Sequence, residues 1–171
     1  MKKLLLITAL FISFFGIAQV STTRINDIKL GMKFSELEKL TGQKIKLKLN
    51  EYGYPADDLT IVFKGITYKI LLTTNGEEGV ANNFYVYRVK SSDSTLKTLS
   101  GVKIGSSLDE LISKYKDYNI SIFDGYDEKT DKRTKALRYF NVEDFDAGSI
   151  LQFNIVNGKV ISFEVTYNEG C

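Results

Sequence analysis

The sequence predicts an α+β fold: two tandem, related helix-plus-antiparallel-sheet units sharing one core. Three observations lead there. The stretch Ile28 to Leu37 returns 74 residues later as Val102 to Leu111, with the lysine, the glycine and the final leucine identical, and self-similarity at a fixed period marks a duplicated unit. Each copy passes from a short apolar strand through a glycine into helical spacing, and each is followed by β-type alternation. Units of about 70 residues bury only about 60% of their unfolded surface, so the two are expected to share their interior.

Residues 1–18 are expected to be a secretory signal peptide. Lys2 and Lys3 precede an apolar run from Leu4 to Phe15, and Gly16-Ile17-Ala18 places small residues where a signal peptidase cuts before Gln19. The run is too short to span a bilayer, which takes roughly 20 apolar residues. Residues 19–171 then form a single exported domain, periplasmic or secreted, made of repeats at about 24–93 and 97–168. Without Lys2 and Lys3 the 23 basic residues fall to 21, matching the 21 acidic ones. A neutral chain lacks the positive field that nucleic acid or an anionic membrane surface requires.

In the first copy Phe34, Leu37 and Leu40 define the helix and Gly42 its C-terminal stop. The alternation Lys44-Ile45-Lys46-Leu47-Lys48-Leu49 predicts a half-buried strand whose lysines guard an edge. Further strands are expected at about 59–63, 66–73 and 83–90. In the second copy Ser107 and Glu110 form an S-x-x-E capping box, and Leu108, Leu111, Ile112 and Tyr115 follow at helical spacing. Strands are expected at about 137–142, 150–156 and 159–167, with irregular segments at 75–83, 124–134 and 143–149. For the hairpin at Asn157-Gly158, a three-residue loop gathers Leu151, Phe153, Ile155, Ile161, Phe163 and Val165 on one face, and that register is predicted.

Histidine is absent and Cys171 is the only cysteine. Histidine-dependent nucleophile systems and histidine-containing zinc or haem sites are therefore excluded, and no internal disulfide can form. Cys171 is either a frayed terminal thiol or the site of an intermolecular disulfide. The acidic run Asp124 to Asp131 matches no calcium-loop spacing and contains Lys129, so a solvated loop is expected rather than a metal site. No catalytic residue, cofactor or metal is expected.

Tyr52, Tyr54 and Tyr126 stand apart from helix or strand periodicity. The first two flank Gly53 ahead of Pro55, and the third lies in the acidic run. Tyrosine offers a large apolar area with a polar tip at low entropic cost, so these three are the candidate partner-binding residues.

The segment from Ile25 through Gly31-Met32 to Gly42 resembles the repeat opening of the β-lactamase inhibitor protein family, whose unit also occurs singly in small lipoproteins of outer-membrane assembly. The second copy keeps Gly105 but has Ser106 in place of methionine, and Lys116 or Asp117 where the closing glycine would stand. The resemblance implies two helix-plus-sheet units presenting loops and one aromatic-rich sheet face to a target. The family's disulfides, and the lipidated cysteine of the assembly lipoproteins, have no counterpart here. The expected function is thus a monomeric, non-catalytic exported module binding a protein or cell-envelope component through loops and one sheet face. The alternatives are a small-ligand carrier with a cavity between helices and sheet, and third a carboxylate-dependent hydrolase.

Overall fold

The computed structural model describes residues 19–74, 83–127 and 129–169; the expectations for the signal peptide and for Cys171 lie outside them. Short strands β1 (Gln19–Val20), β2 (Arg24–Ile25) and β3 (Ile28–Lys29) lead into helix α1 (Phe34–Thr41). Strands β4 (Leu59–Phe63), β5 (Ile66–Thr74), β6 (Phe84–Ser91) and β7 (Lys97–Thr98) precede helix α2 (Leu108–Tyr115). The chain ends in β8 (Ile120–Asp127), β9 (Lys132–Asp144), β10 (Ser149–Val156) and β11 (Lys159–Tyr167).

This architecture corrects the α+β assignment. Strand makes up 51% and helix 11% of the described chain, so the fold is β-rich with two sheets rather than a balanced tandem of helix-plus-sheet units. Each helix has only eight residues, and neither owns a sheet. The strands of both halves join in one seven-stranded sheet of order β4-β5-β6-β11-β10-β9-β8, and the small sheet β3-β2-β1-β7 also draws on both.

Alternation along the large sheet sends Ile61, Tyr68, Ile70, Val86, Val89, Phe140, Phe153, Phe163 and Val165 to one side, where they form a single core with Leu37 and Leu111. Both leucines are fully buried. Tyr115, Phe140, Phe153 and Phe163 meet ring to ring at centroid distances of 5.5–6.1 Å, a spacing at which tilted and edge-on aromatic pairs attract. Among the described residues no helix is long and apolar enough to cross a membrane.

Three local expectations change. Residues 43–48 form no strand. The Ile45 N–H donates to Glu38 Oε1 (3.0 Å), and the Gln43 amide takes the Val62 carbonyl on the edge strand (2.7 Å), so side chains satisfy groups that a ladder would have used. Ile45 and Leu47 still pack on the core. Conversely, residues 120–127 and 132–144 pair as a hairpin through the stretch expected to be irregular. At the last hairpin, Val156 pairs with Lys159 across a two-residue turn, Asn157-Gly158, both at positive φ (48° and 75°). A bulge then makes Ile161 the extra residue, because Ile155 faces Val160 while Asn154 faces Ser162. The bulge restores Phe153 and Phe163 to the core and leaves Ile161 44% exposed.

Candidate functional site

The three tyrosines singled out from the sequence do not converge. Tyr52 and Tyr54 sit in a turn tied by Asn50, whose Oδ1 accepts from both of their backbone N–H groups at 3.0 Å. Tyr52 is 70% exposed. Tyr126, 53% exposed, lies on β8 under the Arg133 guanidinium, which is 5.7 Å from the ring centroid and donates from Nε to the hydroxyl at 3.2 Å. The first turn follows α1 and leads into β4, at one edge of the large sheet; β8 is the other edge. These residues make two separate surfaces.

Leu99, Tyr118 and Phe145 do converge. They line one cleft of about 510 Å³ between the end of α2, the β7 turn and the β9–β10 turn. Each is held outward by its own local bonding. Leu99 occupies the turn after β7, closed by Gly101 N–H to Thr98 O (3.0 Å) and anchored where the Ser100 hydroxyl meets the Tyr115 hydroxyl (2.8 Å). Tyr118 follows the last turn of α2 and packs edge-on to Tyr115 at 5.6 Å. Phe145 heads the β9–β10 turn, fixed by Ala147 N–H to Asp144 Oδ1 (3.0 Å). The three are 79%, 61% and 65% exposed, above a floor that includes Val20, Val142 and Leu151.

The rim is acidic. Glu143, Asp144 and Asp146 line the cleft, and among the described residues no lysine or arginine does. The Asp144 carboxylate is held below its ordinary range by the Ala147 backbone N–H and by the Thr22 hydroxyl at 2.8 Å. A charge fixed in this way suits recognition of a cation. It does not suit proton donation, for which a carboxyl must be raised toward neutrality.

A larger cleft of about 750 Å³ is lined by Arg24, Asp27, Lys64, Asp93 and Lys97 together with Tyr68. Its charges are of both signs, and Lys64 already pairs with Asp27 at 2.8 Å. The smaller cleft is the better candidate because its exposed apolar side chains have no such satisfaction within the fold.

Sequence reasoning passed over these three residues although one signal was present. Phe145 stands between Asp144 and Asp146, an aromatic residue in an acidic segment, the same pattern that drew attention to Tyr126. Leu99 and Tyr118 carry no comparable mark, since a turn alone turns them outward. No protein-family model, curated protein or solved structure matches this chain.

Proposed function

We propose that this chain is a non-catalytic exported module that binds a protein or cell-envelope component, and that its contact surface is the cleft of Leu99, Tyr118 and Phe145. The observation that carries the reading is three large, exposed apolar side chains around one cleft whose charged lining residues are all carboxylates. Full burial of a leucine or phenylalanine side chain contributes about 1.5–3 kcal/mol. Three such anchors with a polar rim match the way interfaces concentrate their energy. The complementary partner is a segment that presents an apolar or aromatic side chain next to a lysine or arginine.

Capture from cell-envelope extracts tests this, with Leu99→Ser/Phe145→Ser beside the wild type and a further arm in high salt. The double variant loses the captured protein, and salt weakens capture by the wild type. Capture that survives both changes removes the cleft from the function. Tyr52→Ala/Tyr54→Ala, away from the cleft, leaves capture intact.

A second reading rests on size. A cleft of about 510 Å³ falls within the range of small-molecule sites, about 300–1,000 Å³, and it lies between helix and sheet as a ligand carrier requires. An apolar dye displaced by small organic cations, in the absence of any captured protein, favours the carrier.

A further inference from the structure

The face of the large sheet turned away from the helices carries a cleft of its own, sharing no lining residue with the one around Leu99. Across neighbouring strands Glu164 pairs with Lys90, and Lys90 with Lys69. Like charges directly opposite in a ladder repel. Glu164 relieves one of them, with its Oε2 3.3 Å from Lys90 Nζ and its Oε1 3.9 Å from Arg88 Nε. Lys69 makes no ion pair among the described residues.

Beside this row is a cleft of about 360 Å³ lined by both lysines, Asn154, Ser162, Leu137 and Ile161, among others. Asn154 and Ser162 face each other across β10 and β11, each only 4% exposed. Asn154 Nδ2 and Ser162 Oγ have no hydrogen-bond partner among the described residues. The Asn154 amide is oriented by Gln152 Nε2, which donates to Asn154 Oδ1 at 3.0 Å, so the group left over is the NH₂. A hydroxyl also donates. The open groups at this cleft are thus an ammonium, an amide NH₂ and a hydroxyl, with a second ammonium shared with Glu164. Buried donors without acceptors are costly, and an acceptor-rich anion satisfies them together.

We propose that this cleft binds a small anion with an apolar body, a carboxylate or phosphate monoester. Its oxygens meet Lys69, Lys90, Asn154 Nδ2 and Ser162 Oγ, and its apolar part lies along Leu137 and Ile161.

Calorimetric titration of the full chain with hexanoate, hexyl phosphate and hexan-1-ol at low salt tests the proposal. At least one anion binds saturably and the alcohol does not; the stronger of the two anions identifies the head group. Lys69→Gln weakens anion binding by at least about tenfold without lowering Tm, Lys69→Arg retains it, and Asn154→Asp abolishes it by placing a negative charge among the donors. Leu99→Ser/Phe145→Ser binds the anion as the wild type does, which separates this site from the one proposed for partner binding. Absence of saturable binding by both anions, equal binding of hexan-1-ol, or unchanged affinity in Lys69→Gln overturns the proposal.

Discussion

In the first half of the molecule Gly31 N–H donates to the Val86 carbonyl at 2.8 Å and Val86 N–H returns a bond to Met32 O at 2.9 Å; in the second, Gly105, Val160 and Ser106 repeat the pair at 2.9 Å each. One residue further on, Lys33 bridges to Tyr85 and Ser107 to Lys159. Both glycines take positive φ, 73° and 88°, which seats the following helix on its strand. Past the helices the two regions diverge. α1 stops at Gly42 in the left-handed conformation, and Ile45 and Leu47 then fold back on the core. α2 ends at Lys116, still right-handed, and the chain goes on to Tyr118 and β8. A short stretch of sequence specifies how a helix is seated, while the residue after the helix decides whether the next side chains cover it or stand open beside a cleft.

The largest test of this comparison removes the two matched leucines. Leu37→Ala and Leu111→Ala each delete a fully buried side chain, and such truncations cost about 2–5 kcal/mol depending on how far the site collapses. Leu111 shares its helix face with Tyr115, whose ring abuts Phe140 and Phe153 at 6.1 and 5.5 Å. Rigid rings close a void poorly, so Leu111→Ala lies at the upper end of the range and Leu37→Ala nearer the lower. Urea denaturation of the two variants gives the difference. Equal costs would mean that the aromatic group does not set it.

The parts of the fold that were legible are those with a local cause. Ser107 does cap α2, its Oγ accepting from Glu110 N–H at 3.2 Å, with no return bond from the Glu110 side chain among the described residues, and the strands expected at 59–63 and 159–167 form, each paired with a neighbour. The strand expected over Lys44 to Leu49 failed although its alternation is regular, because a strand also needs a neighbour, and Glu38 and Gln43 supply the bonds instead. β8 was missed for the converse reason: its mixed sequence becomes a strand by pairing with β9. The balance of helix and sheet was misjudged because two copies of a ten-residue motif were extended to two whole units. Of the candidate site, Phe145 was within reach of the sequence, whereas nothing in the spacing of Leu99 and Tyr118 marks them as neighbours around one cleft, which only the fold brings together.

A smaller effect separates the two glycines. Alanine at either position is forced into the left-handed region at a cost of about 1–2 kcal/mol. At Gly105 the added methyl group meets open space, whereas at Gly31 it comes within 2.8 Å of the Tyr167 hydroxyl. Gly31→Ala is therefore the more destabilising of the two. Tyr167→Phe, which removes the oxygen, brings Gly31→Ala to the level of Gly105→Ala in a double-mutant cycle. A gap that persists in the phenylalanine background would place the asymmetry in the backbone rather than in this contact.

The smallest effect concerns how the two regions are tied. Thr22, in the lead-in to the first helix, donates its hydroxyl to Asp144 at the end of β9, at 2.8 Å. The Ala147 N–H and, after it, this bond lower the carboxyl's pKa from its ordinary value. A carboxyl more acidic in the folded state than in the unfolded chain adds stability above the unfolded value, and that stability disappears as the pH falls through the folded one. Solvent screening keeps the contribution small. Thr22→Ala therefore melts slightly below the wild type at neutral pH, and the gap shrinks once the pH drops below the ordinary carboxylate range. A gap independent of pH would assign the loss to packing of the threonine methyl group, and the charge would then play no part in joining the halves.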